Sequence, residues 1–473
     1  MTRIGPHLLL AFDGTTLPTE TAGLLGDGIG AGVTLFRHDN VTGGAQVREL
    51  TDAIRAAAGR PVLVCVDQEG GQLLGLGDAP TPFAGNLALG AADDTDLTRR
   101  VATAMGREIR ALGADVDYAP VCDLLTNIDN DNLGIRCFGS EGDHVARHAA
   151  AFTAGLIDAG AAAAAKHFPG LGDAAVDSHH ELPRLPHDLA ALHRRELVPF
   201  GAAIDAGAQM VMTAHVAYPS VTGREDLPAT LSHAILTRLL RQEIGFAGVV
   251  VTDALDMKAL GQGARQIIDA VAALRAGADL LLATAQPGMT ERLVQGLQAA
   301  VSRDLLDPTA LRSAAGRVDR LARALAASPR PPFDIVGCTE HRQLAAELAA
   351  RAVTLVRDPA GLLPLPSTTR VLAVMPRPFD RTPADTSSMV GPGLAPALAD
   401  RFATVAELVV EANPDRSQID AVVTAAADAE VVVLGTIDAH AHPGQVALAE
   451  ALACSGRPLI TLSLRVPADL AHL

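Results

Sequence analysis

The run AAAAKHF, residues 162–168, stays apolar until Lys166 and His167 interrupt its last third. An unbroken apolar run of this length reads as a parallel strand buried on both faces, where a half-solvated strand would alternate. Upstream, Val145, Ala149, Phe152 and Leu156 recur with the helical period, and Gly160 stops that pattern. Downstream, Leu189, Leu192, Leu197, Phe200 and Ile204 line one face of a following helix. The same kind of run recurs as HLLLAF from His7, GVTLF from Gly32, VLVCVD from Val62 and ADVDYAPV from Ala114. It continues as MVMTAH from Met210, VVVTD from Val249 and ADLLLA from Ala278. Eight strands, each followed by a helix or a long insertion, predict an α/β protein with a (β/α)8 TIM-like barrel. A doubly wound open sheet also alternates strands and helices but rarely sustains eight repeats. Short helical patterns near the start predict irregular units there.

The proline-rich SPRPPF, residues 328–333, breaks the pattern and predicts a domain boundary. The barrel is expected over 1–330 and a smaller α/β/α sandwich domain over 331–473. After a helix at 340–353, the second region offers strands VLAVM from Val371, VAELVV from Val405, VVVLGT from Val431 and LITLSL from Leu459. Helical stretches between them predict a mostly parallel sheet. PRPFDRT follows the first of these strands where a dinucleotide site would need GxGxxG. The sequence stops soon after the last strand, which predicts a small or shortened domain.

With 49% hydrophobic and 19% charged residues among 473, the chain can build large cores and is neither disordered nor fibrous. Fifty-four acidic against 38 basic side chains leave a net charge of −16, which argues against nucleic acid as a partner. Five scattered cysteines without a CxxC pair predict a reducing compartment and no zinc site. The N-terminal MTRIGPHLLLAFDGTT lacks a signal-type apolar region, and no apolar stretch approaches membrane-spanning length. A cytoplasmic location without a membrane partner is expected. Lys166 and Lys258 are the only lysines, every other basic side chain being arginine. Codon bias explains the arginines, and a retained lysine suggests a need for a compact ammonium.

In a barrel the chemistry collects at the carboxyl ends of strands. Those ends present Asp67 and Glu69 in VDQEGG, Lys166 and His167 in KHFPG, His215 in MTAH and Asp253 in VTDALDM. Two carboxylates facing each other across a pocket suit glycoside cleavage, which needs an acid on one side and a nucleophile or base on the other. Asp253, on a strand tip, suits the nucleophile; the competing reading is a cap of an ALDMKAL helix. Asp177 and His179 lie two apart, and in an extended segment the carboxylate could orient and charge the imidazole. On spacing alone, solvated loop residues are the competing reading. His180, Glu181, His440 and His442 read as loop residues, and no metal is expected.

At these residues the sequence resembles the β-N-acetylglucosaminidase branch of glycoside hydrolase family 3. The resemblance is carried by VDQEGG (66–71), DYAPVCD (117–123), LGIRCFGS (133–140), AKHFPGLGDAAVDSHHELP (165–183), MTAH (212–215), PATLS (228–232) and VTDALDM (251–257). ARAVTLVRD and LLPL, near 350–365, match more loosely. The resemblance implies a retaining exo-enzyme acting on terminal β-linked N-acetylglucosamine of muropeptide or chitin-type fragments, without a cofactor. It implies Asp253 as nucleophile, His179 as acid/base with Asp177 as its partner, and Asp67, Arg136, Lys166 and His167 as sugar-binding residues. Leu171 stands where the family often has His, and Gln72 where it often has Arg. A phosphorylase using the same residues, and a catalytically silent sugar-binding or scaffold protein, are the alternatives.

Overall fold

The computed structural model describes residues 4–130 and 132–473, which divide into two compact units, Met1–Val353 and Thr354–Leu473. In the first, eight parallel strands close into a barrel. They are β1 Leu8–Leu10, β2 Gly32–Thr34, β3 Leu63–Val66, β4 Val116–Asp117, β5 Ala162–Phe168, β6 Met210–Thr213, β7 Val249–Ala254 and β8 Leu280–Leu282. Each pairs in parallel with its neighbour in sequence, and β8 returns to β1. Every expected strand is present, because each is an apolar run buried from both sides.

Alternation along the strands builds two layers. Leu9, Leu63, Cys65, Ala162, Ala164, Met210, Met212, Val249 and Val251 fill one buried cluster, joined by Val318, Ala322 and Leu325 of helix Pro308–Ala327. The alternate residues Leu8, Leu10, Val33, Val64, Val211 and Val250 pack with the surrounding helices. At the amino-terminal strand ends, charges serve the scaffold. Asp115, ahead of β4, pairs with Arg55 at 2.6 Å and with Arg110. Asp279, ahead of β8, pairs with Arg241 and Arg317, each at 2.6 Å. Catalytic groups belong at the other rim.

Three local readings need correction. The stretch read as one helix through Leu189 and Ile204 is two, Leu189–Arg194 and Leu197–Asp205, broken at Arg195 with Leu189 exposed. No helix follows Asp253 directly: residues 255–261 turn without helical pairing, and the next helix is Arg265–Ala276. Asp253 is therefore not a helix cap, and Lys258 lies on a turn. Finally, the chain divides after Val353, where the sequence reading places the boundary at 330/331. Helix Thr339–Ala352 stays with the barrel because Leu348 is buried among Phe83, Leu97 and Phe152, and His341 bonds the buried Glu108 at 2.6 Å.

The second unit is a four-stranded sheet, β9 Arg370–Pro376, β10 Thr404–Val410, β11 Val431–Thr436 and β12 Leu459–Ser463, in the order β10-β9-β11-β12. All its pairings are parallel. One face packs Leu372, Val374, Val432 and Leu434 against helices Arg416–Ala426 and Pro443–Ala453. The other packs Val371, Ala373, Val431 and Val433 with Leu394 and Ala395 of helix Leu394–Ala399. This is the expected α/β/α sandwich. No helix among the described residues is long and apolar enough to cross a membrane.

Candidate active site

All seven residues of β5 are buried, so Lys166 needs partners inside. Its ammonium pairs with Asp67, which follows β3, and with Glu69 two residues on, at 2.5 Å. Glu69 also receives both Nε and Nη2 of Arg136, at 2.8 and 2.9 Å. The remaining Nη1 of Arg136 donates to the backbone and side-chain oxygens of Asn132 at 2.8 and 2.9 Å. Burial pushes the Glu69 carboxyl up, but Arg136 and Lys166 outweigh it and hold it at about 2. Burial pulls Lys166 down, yet Asp67 and Glu69 keep it above the ordinary lysine value. Among the four charged groups only the Asp67 side chain, 23% exposed, opens to solvent. Lys166, Glu69 and Arg136 form a rigid support beneath it.

His167 is fixed by Asp123, the last residue of DYAPVCD. One carboxylate oxygen of Asp123 accepts the His167 backbone N–H at 3.1 Å and stands 2.7 Å from ring Nδ1. The other accepts the backbone N–H of Leu171 at 2.7 Å, tying the strand end to the loop after it. Two glycines let that loop pass. Gly170 has φ +123°, and a Cβ on Gly172 would stand 1.8 Å from the Leu124 carbonyl oxygen.

Farther along the loop, Asp177 and His179 meet through a turn; the extended segment considered from the sequence is not formed. The backbone N–H groups of His180 and Glu181 close on the Asp177 carbonyl at 2.9 and 3.2 Å. Asp177 Oδ1 accepts the His179 backbone N–H at 2.9 Å and lies 2.8 Å from ring Nδ1. Burial pushes the Asp177 carboxyl up, but the His179 ring and its charge pull it net below the ordinary aspartate value. An ionised Asp177 makes Nδ1 the donor, which leaves Nε2 of a partly exposed ring available for proton transfer. The loop is anchored to the chain beyond β7: Lys258 donates its backbone N–H to His179 O at 3.3 Å, and Ala259 to Ser178 O at 3.2 Å.

Asp253, near the end of β7, is half-buried, and its Oδ1 accepts the Ala254 backbone N–H at 2.7 Å. Burial raises its carboxyl, but three imidazoles, His167, His215 and His179, draw it net below the ordinary value. Burial is the chief cause that lowers the His215 ring below the ordinary histidine value. Its Nε2 donates to the Ala254 carbonyl at 3.0 Å, and its Nδ1 lies 2.7 Å from the Thr230 hydroxyl. A carboxylate kept ionised among imidazoles, beside a histidine with a free ring nitrogen, can do nucleophilic and acid–base chemistry.

The sequence profile described as the glycosyl hydrolase family 3 N terminal domain matches residues 12–321. The chain belongs to glycosyl hydrolase family 3. It is 39% identical over 304 residues to the "Beta-hexosaminidase" of Xanthomonas axonopodis pv. citri, a match covering 63% of this chain and 88% of that one. It is 34% identical over 391 residues to "Beta-hexosaminidase A" of Pseudoalteromonas piscicida, covering 76% of this chain and 65% of that longer relative. In structure it resembles a glycoside hydrolase family 3 β-N-acetylglucosaminidase from Paenibacillus sp. str. FPU-7. There the TM-score is 0.91 at 33% identity, over 99% of this chain and 90% of that one.

In this family 3 hydrolase, the residues expected from the sequence fall into linked groups on one rim. Asp67, Lys166 and Arg136 share one ion network, Asp177 pairs with His179, and His167 and His179 both act on Asp253. The sequence places Glu69 at the rim without showing that it is the hub, and it does not reveal the braces. Glu69 stands two residues after Asp67 and joins Lys166 to Arg136, and Asp123 fixes His167. Each lies in a motif that stands out for another reason. Asn132 had no signal beyond an asparagine-rich run, NIDNDN. His440, expected to be a loop residue, belongs to the second unit, where it packs against the buried Asp469 at 3.3 Å.

Proposed function

We propose that this hydrolase is a retaining exo-β-N-acetylglucosaminidase, removing terminal β-linked N-acetylglucosamine from cell-wall muropeptide or chitin-type fragments. The reading rests on the Asp177–His179 pair, held on a loop whose backbone bonds to the segment following Asp253. In the first step the Asp253 carboxylate attacks the anomeric carbon as the glycosidic C–O bond breaks. The imidazolium of His179 gives its Nε2 proton to the departing oxygen. Neutral His179 then takes a proton from water at the same nitrogen, the water oxygen attacks the anomeric carbon, and Asp253 leaves as carboxylate. Asp177 compensates the positive charge each time the ring is protonated.

Asp67, the exposed end of the Lys166–Glu69–Arg136 network, accepts hydrogen bonds from sugar hydroxyls. In this role Lys166 and Arg136 act chiefly through the carboxylates they hold, and His167 faces the anomeric side with Asp253. The β-hexosaminidase names of the relatives, and the β-N-acetylglucosaminidase name of the structural neighbour, support the substrate class. Five free cysteines, three of them buried, suit a reducing cytoplasm.

One feature favours a second reading. A histidine that has given up its proton is neutral and does not repel an anionic acceptor, so phosphate can take the place of water at the glycosyl-enzyme. Turnover of an aryl N-acetyl-β-D-glucosaminide in phosphate buffer decides between the two. Free N-acetylglucosamine identifies the hydrolase and N-acetylglucosamine 1-phosphate the phosphorylase. Sugar binding without turnover would contradict both and leave a silent binding protein.

A further inference from the structure

Away from the rim, Asp93 follows helix Asn86–Ala92, while His144 and His148 stand one turn apart on helix Gly142–Asp158. One potential ligand atom from each lies within 4.8 Å of the others. His144 Nδ1 is 3.4 Å and His148 Nε2 is 3.6 Å from the same Asp93 oxygen, Oδ1. Two ligands bound at about 2.1 Å around a tetrahedral zinc ion stand roughly 3.4 Å apart, close to both separations.

The hydrogen bonds orient the lone pairs inward. The Thr98 hydroxyl lies 3.0 Å from the Asp94 carbonyl, which can only accept, and 2.8 Å from His148 Nδ1. Both contacts are made together only if His148 donates from Nδ1, which leaves the lone pair on Nε2. That nitrogen is buried in a fully buried residue and has no hydrogen-bond partner. His144 Nδ1 lies 3.3 Å from Nη2 of Arg147, which can only donate, so this nitrogen also presents a lone pair. Three acceptors therefore converge, and the charge facing them is the Arg147 guanidinium, 3.2 Å from Asp93 and largely exposed.

The surroundings are shaped for the two rings. Phe138 stacks on His148 with centroids 5.6 Å apart, and a Cβ on Gly90 would stand 3.2 Å from His144 Nε2. The Thr98 hydroxyl supplies the outer partner that orients a metal-bound imidazole.

We propose that Asp93, His144 and His148 form a binding site for a zinc-class divalent ion, with two imidazoles, one carboxylate and water as ligands. Binding displaces the exposed Arg147 side chain. It cross-links helix Asn86–Ala92 to helix Gly142–Asp158, next to the Arg136 segment that Asn86 holds through the Arg136 carbonyl at 2.7 Å. The site is separate from the glycosidase chemistry, and its effect is on stability.

The test uses untagged full-length protein freed of metal with a chelator. Calorimetric titration with Zn2+ and visible absorption with Co2+ report binding, and thermal unfolding with and without Zn2+ reports stabilisation. The expected result is one equivalent at micromolar Zn2+, a raised Tm and a tetrahedral Co2+ spectrum. His144→Ala and Asp93→Asn, both at solvent-accessible positions, should each weaken binding by about tenfold or more. Arg147→Ala should bind as tightly as the parent or more tightly. Absence of saturable Zn2+ binding, or binding unchanged in both His144→Ala and Asp93→Asn, overturns the proposal.

Discussion

Asp177 Oδ1 holds His179 twice, through the backbone N–H at 2.9 Å and through ring Nδ1 at 2.8 Å. One oxygen thereby fixes both the turn and the orientation of the imidazole, directing Nε2 away from the carboxylate. The other oxygen of Asp177 is buried without a hydrogen-bond partner, so its charge is directed to the ring.

Replacing Asp177 with Asn keeps the shape and removes that charge. We expect kcat/KM to fall by about 10²-fold or more. The fall should be largest for substrates with poor leaving groups, which need protonation most. A series of aryl N-acetyl-β-D-glucosaminides checks this, and equal loss across the series would contradict an acid role for His179.

The two lysines should behave as opposites. Lys166 is 1% exposed between Asp67 and Glu69, whereas Lys258 is exposed on a turn. Lys166→Met removes one of the two cations from the buried Glu69 and the partner of Asp67, and should cost on the order of 3 kcal/mol. Lys258→Met should stay within about 0.5 kcal/mol of the parent. Urea denaturation of both variants measures the contrast.

The barrel rim and the strand ends were legible because each strand is a continuous apolar run and polar residues follow it directly. Lys166 stood out as one of two lysines, and its burial between carboxylates gives that retention a physical reason. What stayed hidden depended on contacts remote in sequence. Glu69 meets Arg136 across 67 residues, and Asp123 meets His167 across 44. Spacing alone leaves the Asp177–His179 pairing open and the resemblance implies it; the geometry is a turn, which a two-residue interval does not specify. The helix expected after Asp253 failed because that segment instead bonds to the backbone of Ser178 and His179. A proline-rich break signals a bend in the chain and carries no information about which core the next helix joins; contacts of Leu348 and His341 with the barrel decide that for helix Thr339–Ala352.

Glu69 should leave a mark on acid stability. Its carboxyl sits near 2 in the folded protein against an ordinary 4.5, so the folded state holds its proton less tightly than the unfolded chain does. The stabilisation is complete above about pH 4.5 and is lost as pH falls towards 2, on the order of 3 kcal/mol in all. Glu69→Gln should be less stable at pH 7 and show a flatter decline over that window. Denaturant midpoints at pH 7, 4 and 3 report both effects.

Burial raises the thiols of Cys65, Cys122 and Cys137 well above the ordinary cysteine range, while Cys454 is exposed and Cys338 half-buried. A thiol-disulfide reagent at pH 8 should therefore modify Cys454 and then Cys338 in the native protein. The other three should react only after unfolding, and rapid native reaction of all five would contradict the packing described.

The double displacement makes its sharpest demand on one variant. In His179→Ala an aryl substrate with a highly acidic leaving group needs no acid for the first step but lacks the base for the second. Rapid quenching and mass spectrometry should then find a population heavier by one N-acetylhexosaminyl residue, with the modification mapped to Asp253. Turnover without an adduct, or an adduct on any other residue, would contradict the assignment of Asp253 as nucleophile and His179 as the base that releases it.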